Sequence, residues 1–262
     1  PQRIQNRLRP TARKSGTVTP FQAAATALGS TVGTGNIVGV SQAIAMGGPG
    51  ALFWLWAAAL IGMIVKYAEV ALAIYYRRGS IGSGPMDYIT HGLGRPHLAR
   101  VYGVLVTLSA FCMGNLVQVS SIADSFVRAV DACTVGPMPS PAALRFALGL
   151  VLAAVTALLL SGGAGRVGTA AEAMVPLMSL LFIAASMAVV AVNHSRIAGV
   201  MSTVFIEAFR PGAITGGICG VTTAQCIQWG LRRSAFSNEA GLGTAAIAHA
   251  AADTNDPAAH GM

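Results

Sequence analysis

The chain has 262 residues, of which 54% are hydrophobic and 10% charged, with 31 glycines and a formal net charge of +8; its mean hydropathy is +0.63. A soluble globular domain carries about 25% charged residues, so charge this sparse cannot cover a water-facing surface. The same numbers exclude a disordered or nucleic-acid-binding chain despite the basic balance. The composition is that of an integral membrane protein.

In chain order, residues 1–20 form a basic leader with Arg3, Arg7, Arg9, Arg13 and Lys14 and no acid. It lacks the apolar stretch and small-residue cleavage site of a signal peptide. With no initiator Met, and a polar stretch from Asp253 to Met262 that follows no apolar span, the chain reads as a piece of a longer one. A membrane helix needs about 20 mainly apolar residues. Phe21–Met46 is apolar but interrupted at Gly33-Thr34-Gly35-Asn36, whereas Ala51–Tyr76 is clean until Lys66 and Glu69. Leu98–Val130 holds a third span, Pro141–Leu160 a fourth and Ala170–Val192 a fifth. Arg196–Phe209 is too short and polar to cross alone, Gly212–Leu231 is long enough to cross, and the placement of Ala240–Ala252 is open. Continuous apolar runs exclude barrel strands, which alternate. The four cysteines (Cys112, Cys133, Cys219, Cys226) have no CxxC spacing, and three lie in apolar runs as small hydrophobes.

Lys and Arg in short loops orient a membrane protein. The leader, then Arg77, Arg78, Arg95 and Arg100, then Arg166, then Arg232-Arg233 fall on one side, and an uncharged Gly47–Gly50 turn lies opposite the first of them. The leader is therefore expected in the cytoplasm.

The interruption of the first span admits two readings. Paired glycines propagate a helix poorly, and Thr34 and Asn36 can bond local backbone instead of the helical ladder. Broken backbone at membrane depth survives only inside protein or beside a polar cavity. There, helix N-termini attract carboxylates and unwound carbonyls bind cations. Alternatively, Gly29, Gly33 and Gly39 form a close-packing face.

Flanking residues favour the first reading. The run Thr31-Val32-Gly33-Thr34-Gly35-Asn36-Ile37, then Gly47-Gly48-Pro49-Gly50-Ala51, Phe53-Trp54 and Lys66-Tyr67-Ala68-Glu69 strongly resembles the signature of the alanine or glycine:cation symporter family. Gly84-Pro85-Met86-Asp87-Tyr88-Ile89 is similar to another block of that family, with Asp87 in place of a usual Tyr. Phe236-Ser237-Asn238-Glu239-Ala240-Gly241-Leu242-Gly243 and Ile247-Ala248-His249-Ala250-Ala251-Ala252 resemble a third. The resemblance extends from Thr19 to Met262.

The resemblance implies an all-α, multi-pass, five-plus-five inverted-repeat transporter of the amino acid–polyamine–organocation superfamily with a broken first core helix. It implies Na⁺, or in some members H⁺, as coupling ion, no organic cofactor, and alanine or glycine as substrate. Residues 21–192 would be the first five-helix repeat and 193–262 the opening of the second, with the remainder of the parent chain missing. The expected location is the cell inner membrane, in contact with lipid and not with nucleic acid.

The broken segment also resembles that of the neurotransmitter:sodium symporters. Carried over residue by residue, Gly29 and Val32 would offer carbonyls to one Na⁺, Thr31 and Asn36 would match a second cation site, and Thr34 and Gly35 would present N–H groups to the substrate carboxylate. Gln118, in a stretch similar to the family's pocket-lining third core helix, would touch the substrate or else bond another helix, because an unpaired amide is costly in the membrane.

Other features read more plainly. Gly163-Ala164-Gly165-Arg166-Val167-Gly168 matches GxGxxG but joins two spans rather than a strand and a helix. Lys66 and Glu69, one turn apart, are expected to pair. Glu172 is expected near a helix N-terminus, and His249 to pack. Glu239 forms either an inner-gate or a solvated ion pair with Arg232-Arg233. Gly216-Gly217 and Gly220 mark either a second broken helix or close packing. No HExxH or GxSxG set supports an enzyme. A channel-like protein and an inert or structural fragment of a transporter are the alternatives.

Overall fold

The computed structural model describes residues 17–77, 82–111, 115–134, 140–209, 223–254 and 256–261. Among these the chain is helical. Only an isolated parallel bridge between Val18 and Ala252 has strand pairing.

The first span is two helices, α1 (Pro20–Thr31) and α2 (Thr34–Gly47). α1 starts at a reciprocal cap: Gln22 N–H donates to Thr19 Oγ1 at 3.1 Å, and Thr19 N–H donates to Gln22 Oε1 at 3.1 Å. Pro20 at the first helical position costs no bond, since that N–H has no intrahelical acceptor. Val32 and Gly33 adopt extended backbone. The extended backbone is confined to Val32 and Gly33, and α2 resumes at Thr34 on a Gly33 N-cap whose carbonyl accepts Asn36 N–H, three residues on, at 2.9 Å.

α3 (Ala51–Tyr76) is continuous over the expected second span. The short α4 (Pro85–His91) follows. The expected third span is instead two helices, α5 (Pro96–Ser109) and α6 (Asn115–Cys133). At 1.5 Å per residue α5 is too short to cross, and residues 112–114 lie outside the described residues. α7 (Pro141–Leu160) matches expectation, and Arg166 Nη1 donates to Leu158 O at 2.8 Å in its last turn, where a cation is favoured. α8 (Gly163–Val192) starts seven residues earlier than expected, so the GxGxxG stretch forms its first turns. After a 3-10 turn at His194–Arg196 come α9 (Ile197–Phe209), α10 (Thr223–Asn238), α11 (Thr244–Ala250) and α12 (Pro257–Gly261). Among the described residues three helices, α3, α7 and α8, are long and apolar enough to cross a membrane. The Gly216-Gly217 and Gly220 reading lies outside the described residues.

α10 packs along α3 and α2, and α11 bridges α3 and α1. α1 packs on α8, and α6 joins α2 to α7. The buried clusters are made of small residues: Ala27 with Val70 and Ala245, Ala43 with Ala51 and Cys226, and Ala73 with Ala246 and Ala250. Hydrocarbon solvates apolar side chains as well as protein does, so membrane helices gain by close backbone approach rather than by burying large residues. α7 buries none of its residues.

Several expected pairings differ. Lys66 and Glu69 are not within 4 Å as an ion pair; the only one among the described residues is Arg145–Asp124 at 2.9 Å. Glu69 is instead buried, and its Oε1 accepts the Gly243 N–H at 3.2 Å. Three left-handed residues, Glu239, Gly241 and Gly243, shape that loop, and such turns aim amides at an anion. Glu172 lies inside α8, not at its N-terminus, and accepts from Gln22 Nε2 at 2.9 Å, tying α8 to α1. Glu239 accepts from Thr244 Oγ1 at 2.7 Å, and no ion pair with Arg232 or Arg233 forms. His249 is not isolated: its Nδ1 lies 2.8 Å from His260 Nε2.

Candidate functional site

The break strips Thr31 of its helical acceptor role, since the residue four positions on now belongs to α2. A side chain restores it: Asn36 Nδ2 donates to Thr31 O at 2.8 Å. Asn36 Oδ1 in turn accepts from Ser237 Oγ on α10, and Thr31 Oγ1 donates to Ala27 O within α1. Asn36 is therefore a clamp across the break, anchored to α10. The first amides of α2 point out of the helix without intrahelical acceptors and carry the positive end of its dipole.

A cavity of about 800 Å³ adjoins this break. Thr31, Val32 and Asn36 line it from the broken segment, Lys66 and Tyr67 from α3, Ser237 and Asn238 from α10, and His249 and His260 from α11 and α12. Three of the four expected cation residues thus share one wall. Gly29 does not: a Cβ there would meet Val175 Cγ2 at 3.0 Å, so it packs on α8.

The expected substrate residues lie apart from that wall. A Cβ on Gly33 would meet Gln118 Nε2 at 3.0 Å, so α6 delivers the Gln118 amide directly onto the break. Gly35 lies under Arg233, whose Nη2 donates to Gly35 O. Thr34 is at the first position of α2.

Two participants escape the sequence reading. Ser237 sits within a recognised block but gives no sign of its partner. Arg233 reads as a loop residue because the apolar run of the sixth span ends at Leu231, whereas α10 continues to Asn238. The spacing Arg233–Ser237, one turn apart on a helix, is the signal that both face α2.

On α11 and α12, which are not among the helices long and apolar enough to cross a membrane, the histidine pair is electrostatically tuned. Burial, then the neighbouring His260 and Lys66, push His249 down to about 4. Burial, then Arg77, lower His260 as well. On α4, burial and the Glu69 carboxylate push Tyr88 up to about 12.

The chain matches the profile of the sodium:alanine symporter family over residues 2–262. It is similar to a Methanococcus maripaludis protein named sodium/alanine symporter AgcS, 40% identical over 250 residues, covering 92% of this chain and 52% of the relative. An uncharacterized transporter of Bacillus subtilis, YflA, is 40% identical over 255 residues, covering 94% of this chain and 51% of the relative. A probable sodium/glutamine symporter of the same organism, GlnT, is 34% identical over 253 residues, covering 95% of this chain and 50% of the relative. The chain spans about half the length of the curated relatives it matches.

Proposed function

This chain belongs to the sodium:alanine symporter family, and from that premise we propose that it forms part of a multi-pass transporter coupling Na⁺ entry to uptake of alanine or glycine by alternating access. The observation that carries the reading is the helix break at Val32–Gly33, with Gln118 on one side and the Thr31–Val32–Asn36 cavity wall on the other. Broken backbone facing a cavity supplies what both ligands need: amides for a carboxylate and carbonyls for a dehydrated cation.

In this reading Thr34 and Gly35 offer N–H groups to the substrate carboxylate and Gln118 hydrogen-bonds the substrate. Val32, Thr31 and Asn36 contribute oxygen to Na⁺, and Gly29 contributes only its carbonyl, because its Cα face is packed. Residues 1–20 form a cytoplasmic leader, 21–192 the first repeat and 193–262 the start of the second. The exposed apolar faces of α7 and α8 meet lipid in the cell membrane. The names of relatives support the coupling ion more uniformly than the substrate, since they include both alanine and glutamine.

The test is uptake of labelled alanine by proteoliposomes containing the full-length protein under an inward Na⁺ gradient. Saturable, Na⁺-dependent accumulation is expected, and its absence overturns the proposal. Gln118→Ala should raise the KM for alanine by roughly ten- to a hundred-fold, the equivalent of a lost hydrogen bond to a charged group at about 1.5–3 kcal/mol. An unchanged KM would assign Gln118 to helix packing.

A further inference from the structure

Arg233 has no place in the site as read from sequence. Its guanidinium lies in a notch on α2 made by two glycines one turn apart. A Cβ on Gly35 would meet Nη2 at 3.3 Å, and a Cβ on Gly39 would coincide with the guanidinium itself. At its edge Nη2 donates to Gly35 O, and its face lies over Phe236, with Cζ 4.7 Å from the ring centroid. Nε is buried with no hydrogen-bond partner, and no carboxylate lies within 4 Å, among the described residues. A partly buried arginine without a counter-ion is expensive. It also stands beside the first turn of α2, where the helix dipole is already positive.

We infer that Arg233 is a positioning residue for the substrate carboxylate: its guanidinium, held in the Gly35–Gly39 notch, orients the first turn of α2 and adds a fixed positive charge to the amides that receive the carboxylate. The inference rests on the reading of the α1–α2 break as the substrate site. Bonding to Gly35 O fixes the peptide that follows Gly35 and polarises the chain of hydrogen bonds through it. The unneutralised charge makes the turn selective for an anionic group and against a neutral one. The notch explains the glycines too, because any side chain at position 39 would expel the guanidinium.

The experiment compares two solutes in proteoliposomes holding the full-length protein: alanine, which carries the carboxylate, and alaninamide, which lacks it and is scored as a competitor. Arg233→Gln should raise the KM for alanine by about tenfold or more with Vmax within about twofold, while the inhibition constant of alaninamide moves little. Arg233→Lys, which keeps the charge, should recover part of the loss. Gly39→Ala should reproduce the Arg233→Gln effect by evicting an intact arginine, and should add little in the double variant, since the two act through one contact. Equal shifts for alanine and alaninamide would overturn the inference and leave Arg233 as packing. So would additive effects of Gly39→Ala and Arg233→Gln. If the wild-type protein accumulates no alanine in response to Na⁺, the site reading itself fails and the inference falls with it. If it transports normally and only the Arg233 results fail, the site reading stands.

Discussion

α1–α2 and α8 pose the same problem to the backbone and resolve it differently. Both contain residues that break helices: α1–α2 has Gly29, Gly33, Gly35 and Gly39, and α8 carries Pro176 in its interior, which removes one intrahelical donor. Yet α8 runs 30 residues without a break, while the first span opens after 12. The difference lies in what waits beside the freed groups. At Val32–Gly33 the Asn36 amide takes the Thr31 carbonyl, Ser237 takes the Asn36 oxygen and Arg233 takes the Gly35 carbonyl. Around Pro176 the helix is almost wholly exposed and apolar, with only Gly168 and Val175 buried, so no polar partner rewards unwinding. Low helix propensity permits a break, but partners decide whether one persists.

The comparison breaks most decisively at Asn36. Asn36→Leu removes the clamp at both ends, leaving the Thr31 carbonyl and the Ser237 hydroxyl unpaired. Each such loss costs on the order of 1–3 kcal/mol, so Na⁺-dependent uptake should fall by about a hundredfold or more, measured at matched expression. Activity near wild type would mean that the break is held by something other than its side-chain partners.

A smaller effect is expected at the far wall of the cavity. His249 is held below its ordinary value, so the unfolded chain binds more protons than the folded one between pH 6.5 and about 4. Stability from this group is therefore present above pH 6.5 and lost as the pH falls towards 4. The melting temperature of the detergent-solubilised protein should decline across that window, and His249→Gln should flatten the decline. A decline of equal slope in the variant would remove the histidine pair as its cause.

The smallest effect is expected at Pro176. Pro176→Ala restores a helical N–H in a helix that never broke, so uptake should stay within about twofold of wild type and the melting temperature should hold or rise slightly. A large loss of transport would show that α8 has a hinge of its own.

Much of this arrangement was legible in the sequence, and for identifiable reasons. α3 and α7 match their expected bounds because long apolar runs between glycine and proline leave little choice. The break was legible because glycine, threonine and asparagine cluster there, but propensity does not register that Gly33 caps a new helix at once. The true partners of Glu69, Glu172 and Glu239 were illegible for another reason. Local spacing suggested Lys66, a helix end and Arg232-Arg233, whereas two of the actual donors, Gly243 and Gln22, are 174 and 150 residues away. The last seven residues of α10, Arg232 to Asn238, lie beyond the expected end of the sixth span, so Arg233 reads as a loop charge although it lies against α2.

The bridge between Val18 and Ala252 bears on how the protein is made. Thr17 N–H donates to Ala251 O at 2.9 Å and Asp253 N–H to Val18 O at 2.7 Å, and the Arg77 guanidinium reaches the carbonyls of Ala250, Ala252 and Thr254. The start of α1 thus docks against a segment synthesised more than two hundred residues later. At about 5–20 residues per second that is a wait of tens of seconds for the ribosome. Throughout it, the interrupted span sits in the insertion machinery or the bilayer without this partner. The segment leading into α1 is therefore fixed at this contact only after residue 252 has been made. Truncating the nascent chain before residue 250 should leave α1 accessible to proteases that cannot reach it afterwards.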